Sequence, residues 1–142
     1  MGIKLFTVHE ANGLLAEVRG SLHSLRRIRD EMAELEKKKA VEELSWLQED
    51  GSVSPRARKE KDILAKALES KGKVFEEKLG LLNALGVQLK DLEEGLIDFF
   101  TEREGKLVYL CWRDGEDQIR YWHDMDSGFA GRRPLKPEAG SG

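Results

Sequence analysis

The densest group of chemically capable side chains lies late in the chain: Trp112-Arg113, then Glu116, then Trp122-His123-Asp124-Met125-Asp126, running on to Arg132. Arg113 and Arg132 can hold a carboxylate or phosphate through paired N–H donors, and the face of Trp122 can stack on a flat ligand. Gly128 and Gly131 let main chain approach such a ligand closely. On this reading Arg113, Trp122, His123, Asp126 and Arg132 form a site for a small anionic ligand or a protein partner. A plainer reading makes Trp122 and Phe129 core anchors and pairs Arg132 with Asp124 or Asp126 to pin the loop.

A divalent metal is the alternative. Imidazole with carboxylates suits zinc, manganese or iron, and His123, Asp126 and Glu116 are donors of that kind. No CxxC, HExxH or helical histidine pair accompanies them. Asp124–Gly128 opens like a calcium loop, but Gly128 offers no fifth-position side-chain oxygen and Leu135 stands where a bidentate Glu is needed, so an EF-hand is excluded. Nucleophilic catalysis by Cys111 with His123 is disfavoured, because the thiol lies in an apolar run whose burial raises its pKa. Glycine-rich phosphate loops, dinucleotide fingerprints and serine elbows are lacking.

The elements that must position these residues show in the spacing. After Gly86 the apolar period alternates. Val87–Lys90 and Leu96–Phe99 read as short strands, and Lys106–Arg113 with Gln118–His123 as a hairpin around Asp114-Gly115-Glu116-Asp117. If Arg113 opposes Gln118, one face carries Val108, Leu110, Trp112, Ile119, Tyr121 and His123, and packs on the helices. The other then carries Tyr109, Cys111, Arg113, Arg120, Trp122 and Asp124, which puts Cys111 and His123 on opposite sides.

Upstream, Leu15, Val18, Leu22, Leu25, Ile28, Met32 and Leu35 recur at three and four residues, the one-face spacing of an amphipathic helix close to a coiled-coil seam. Thr7-Val8-His9-Glu10 is a capping box that starts it, and Asp50-Gly51-Ser52-Val53-Ser54-Pro55 ends it, predicting a helix over 8–50. Ser54 as N-cap with Pro55 at the first helical position starts a second helix, 56–85, and Gly86 stops it. The short turn makes the pair an antiparallel hairpin. Residues 8–50 carry a charge balance of −3 and residues 56–85 one of +3, which favours that orientation modestly. A two-helix hairpin buries little apolar surface alone, so a dimer or higher homo-oligomer through the long helices is expected.

Composition narrows the function classes. Charged residues are 36% of the chain and hydrophobic ones 39%, and the net charge of −3 argues against a general binder of nucleic-acid backbone. No stretch approaches the roughly 20 apolar residues of a membrane span. The first residues, Met1-Gly2-Ile3-Lys4-Leu5-Phe6, are too short and polar for a secretory signal. A single cysteine, Cys111, makes no internal disulfide, so a cytoplasmic location is expected.

Three stretches carry a family resemblance. They are Phe6-Thr7-x-x-Glu10-Ala11-Asn12-x-Leu14-Leu15 with Val18; Gly86-Val87-x-Leu89-Lys90-Asp91 with Gly95–Phe99; and Val108–Arg113 with Gly115-Glu116, followed by Tyr121–Asp124, Asp126 and Gly128–Arg132. Together they resemble an uncharacterised prokaryotic family, domain of unknown function 2203, over about residues 5–135. Ala16 stands where such sequences commonly have proline, and Arg133 where they have glutamine. The resemblance implies a shared fold and site region, and no activity.

The expected molecule is α+β: a long antiparallel helical hairpin with a small antiparallel sheet at its base, in a single domain of residues 1–137. The sheet falls in 87–123, a Gly/Arg loop in 124–137 and a tail in 138–142.

Overall fold

The helices begin where the chain supplies caps. In the computed structural model, which describes residues 2–135, the Glu10 N–H donates to Thr7 Oγ1 at 3.0 Å and the Thr7 N–H to the Glu10 carboxylate at 2.9 Å. This closes the capping box of α1, Val8–Gly13. Leu14 interrupts the helical path, its N–H turning back to the Ala11 carbonyl at 3.0 Å, before α2 runs from Leu15 to Trp46. The expected single helix is therefore two pieces, and it ends four residues early. Ser54 Oγ accepts from the Ala57 N–H at 3.1 Å and starts α3, Pro55–Ala84. Gly86 ends it at φ +88°, where a side chain would also press on Lys4, 2.8 Å away.

The chain forms two compact units. Unit two, Ser24–Lys78, holds most of α2 and α3. Trp46, Ala57 and Leu64 are its buried cluster, with Leu35 and Val53 packed on them. Lys71 reaches Glu31 at 3.0 Å, and Leu47 bridges antiparallel to Val53, so the helices run as an antiparallel hairpin. At its turn Asp50 accepts from both the N–H and the hydroxyl of Ser52, which holds its carboxyl below the usual range.

Unit one, the chain up to His23 and from Leu79 onward, holds the sheet. Its five antiparallel strands lie in chain order: β1 Val87–Asp91, β2 Leu96–Arg103, β3 Lys106–Arg113, β4 Tyr121–His123 and β5 Arg133–Pro134. The fold is α+β, as expected. β2 extends four residues beyond Phe99, through Arg103, which pairs with Lys106. β5 arises from the expected loop; the last two residues of that loop, 136–137, and the tail, 138–142, lie outside the described residues. Among the described residues no helix is long and apolar enough to cross a membrane.

The register of β4 departs from the expectation by one residue. Tyr109 pairs with His123 and Cys111 with Tyr121, where opposing Arg113 to Gln118 would have placed each partner one residue earlier. Because side chains alternate, a one-residue shift exchanges the faces of the whole strand. The physical reason is that residues 114–120 form a broad loop instead of a tight hairpin. Trp112 Nε1 donates to the Glu116 carbonyl at 2.9 Å, and the Ile119 N–H to Asn12 Oδ1 at 2.7 Å, holding that loop to β3 and α1.

One face therefore carries Ile97, Phe99, Val108, Leu110 and Trp112, all at most 1% exposed, with Trp122 at its edge. It packs on the N-terminal segment: Phe6 meets Phe99 edge-on at 5.3 Å, and the Arg19 guanidinium lies 5.5 Å from the Trp112 ring. The other face carries Asp98, Phe100, Tyr109, Cys111, Tyr121 and His123. Cys111 and His123 thus share a side.

Candidate functional site

That second face places a carboxyl, a thiol and an imidazole within reach of one another on three adjacent strands. Asp98 of β2 stands directly opposite Cys111 of β3, and His123 of β4 lies two positions along from Cys111's own partner. Their donor atoms all fall within 4.8 Å of one another. All three are buried: Asp98 is 3% exposed, Cys111 1% and His123 2%. Among the described residues this is the one group of three or more His, Cys, Asp or Glu side chains so assembled.

The hydrogen bonds fix the imidazole. His123 Nδ1 lies 2.7 Å from the Asp124 carbonyl, which only accepts, so Nδ1 carries a hydrogen. Nε2 faces both oxygens of Asp98 at 3.1 Å, and one proton serves that contact. An Nδ1–H tied to a main-chain carbonyl, with Nε2 aimed at further donors, is the orientation that metal-ligating histidines use.

Burial governs the two acids. It pushes the Asp98 carboxyl above its ordinary value, with the neighbouring His123 pulling the other way. It also pushes the Cys111 thiol up to about 12, with Asp98 adding to the effect. A thiol held neutral in this way is a poor nucleophile. It becomes a thiolate when a cation replaces its proton.

A cavity of about 150 Å³ opens onto the three donors. Leu96, Tyr109 and Phe129 line its walls, and Lys90, Met125 and Gly128 stand at its exposed rim. Lys90 Nζ is held 4.8 Å above the Tyr109 ring. The covering loop closes on a 3-10 turn, Phe129–Gly131, which Gly128 enters at φ +66°. A Cβ at Gly131 would stand 2.7 Å from Ser127, so the close packing of this loop needs glycine there.

The other residues singled out in the sequence fall elsewhere. Arg132 is laid over Tyr121 and Phe129, 3.9 Å and 4.5 Å from their centroids, and its Nη2 meets both oxygens of Glu116 at 2.8–2.9 Å. Glu116 also accepts from the Arg113 N–H at 2.8 Å, and the Arg113 side chain pairs with Glu94. The two arginines and Glu116 thus serve the 113–116 turn and the covering loop. Trp122 lies on the opposite face from His123, between Arg103 and Arg133, whose guanidinium carbons are 4.9 Å and 5.2 Å from its ring. Asp126 is exposed in the turn after β4. His123 is brought together with Asp98 and Cys111, not with Asp126 and Glu116. Asp98 escaped the sequence reading. Its signal was a carboxylate in the apolar run Leu96-Ile97-Asp98-Phe99-Phe100, where a buried charge must find a partner.

Fold and site together define a class: an α+β protein with a helical hairpin and a meandering sheet whose polar face buries a His, Cys and Asp group. The chain belongs to the family described as "Uncharacterized conserved protein (DUF2203)", whose model matches residues 4–135. No curated protein and no solved structure matches the chain.

Proposed function

We propose that this is a metal-binding protein, holding one zinc-like divalent ion through Asp98 carboxylate, Cys111 thiolate and His123 Nε2. The observation that carries this reading is the convergence of three buried donors on one cavity. Thiolate with imidazole and carboxylate favours zinc over magnesium or calcium. Donors at about 2.0–2.3 Å from one ion stand roughly 3.3–3.7 Å apart, so binding draws the group together slightly. Three protein ligands leave a fourth position, and the cavity supplies the room for it. This is the arrangement of ions that exchange or polarise a small molecule. A thiol ligand also suits a reducing cytoplasm.

The test is elemental analysis of the purified protein and of Cys111→Ala and His123→Ala. The parent should carry about one zinc per chain and each variant far less, since removing one of three ligands weakens a site severely. A parent that neither retains nor takes up zinc, with no rise in melting temperature on its addition, would defeat the reading.

Unit two supports a second inference, self-association. Its helices expose Val41, Leu44 and Ile63, and Leu47 is exposed just past the end of α2, with Leu44 87% exposed. A second copy covering them would complete a helical bundle. Light scattering should give a dimer or larger species that Leu44→Glu dissociates; a parent monomer at high concentration refutes it.

A further inference from the structure

We infer, resting on the metal reading above, that the cavity receives a small organic monoanion, a short-chain carboxylate, whose oxygen fills the fourth coordination position beneath Lys90. Charge, size and lining each point there. A divalent ion with one carboxylate, one thiolate and a neutral imidazole is electrically neutral. Arg132, the nearest guanidinium on the covering loop, is already balanced by Glu116 at 2.8 Å. Lys90 is what remains. Its ammonium lies over the Tyr109 ring, close enough for its charge to act on Asp98, and among the described residues it makes no ion pair. The site so loaded carries one net positive charge, which one negative charge on the ligand cancels and two would exceed.

The cavity of about 150 Å³ is of the size that accepts benzene when apolar, so it takes a ligand of about six to eight heavy atoms. Its walls, Leu96, Tyr109 and Phe129, offer no charged group to a ligand's far end. They suit a short hydrocarbon tail, while the carboxylate faces the metal and Lys90. The anion expected from the sequence is thus received by an ion and a lysine, with both arginines occupied elsewhere.

Cobalt(II) substituted for zinc reports on this directly, because its visible absorption changes when the fourth ligand changes. Butyrate should alter the spectrum of the cobalt-loaded protein saturably, and butyramide, equal in shape but neutral, should not. Methylphosphonate, largely dianionic above neutrality, should bind more weakly than butyrate. Lys90→Ala should keep its cobalt and lose about tenfold in butyrate affinity, the loss of one charge-assisted contact. Phe129→Trp, which fills the cavity, should keep cobalt and lose the butyrate response. Cobalt uptake without a butyrate response overturns this inference and leaves the metal reading standing. An equal response to butyramide overturns the charge argument. Failure to take up cobalt overturns both.

Discussion

The two faces of the sheet are built from the same strands and do opposite work. On one, Ile97, Phe99, Val108, Leu110 and Trp112 meet the N-terminal segment in apolar contact. On the other, alternate residues of the same strands bury Asp98, Cys111 and His123. Burial stabilises the first set by removing hydrocarbon from water and opposes the second by stripping hydration from polar groups. A face kept only for stability gains nothing from such a trio, since a buried ionic pair is often no better than hydrophobic residues of similar volume. The contrast favours a ligand as the reason for the second face.

The sharpest way to break this comparison is to damage each face in turn. Trp112→Ala should destabilise the protein by about 3–5 kcal/mol in urea unfolding, equally with and without zinc, as for other buried tryptophans. His123→Ala should cost less, about 1–3 kcal/mol, because it leaves Asp98 without its partner, and it should abolish the zinc-dependent gain. The pair Asp98→Leu with His123→Phe should restore the metal-free stability to within about 1 kcal/mol of the parent while zinc uptake stays lost. A double variant as unstable as the single one would show that the polar trio is structural.

A smaller effect distinguishes the faces by pH. The Cys111 thiol is raised from 9.0 in the unfolded chain to about 12 in the folded one, so between those values the folded state holds the extra proton. Stability of the metal-free protein therefore falls as pH rises through that window. Cys111→Ala should remove this loss, seen as a flatter melting temperature from pH 9 upward. Trp112→Ala should leave the slope unchanged. Asp98, also raised, works in the same sense from the ordinary carboxylate range upward. The smallest effect belongs to Thr7→Ala, which opens the capping box and should cost about 1 kcal/mol. Zinc affinity, measured by competition with a chelator, should not change.

The start of α1 and both ends of α3 were legible because local chemistry makes them: Thr7 with Glu10, Ser54 with Pro55, and Gly86 act within one turn of their own positions, whereas the break at Leu14 and the end of α2 at Trp46 carry no such signal. The strands β1 to β3 were legible by alternation for a similar reason. The site was not, because it depends on the offset between β3 and β4, and residues 114–120 set that offset through long-range contacts with Asn12 and Arg19. Val108, Leu110 and Trp112 read correctly as one face, yet His123 fell on the wrong one. β5 has two residues, Arg133 and Pro134, and no period to recognise. Asp98 lay in plain view, but only the observed pairing shows which groups it meets.

At residue 124 the main chain and the side chain do separate work. The group that orients the His123 ring is the main-chain oxygen of residue 124, while the side chain of Asp124 turns outward to Lys106 and Arg133. Every amino acid brings the same oxygen. The Asp124 carboxylate is therefore not what holds the imidazole, and exchanging that side chain costs only its contacts with Lys106 and Arg133. What inheritance must preserve there is the path of the chain, and only a change that bends that path, in the turn after β4 or in the pairing of β4 with β5, would turn the ring.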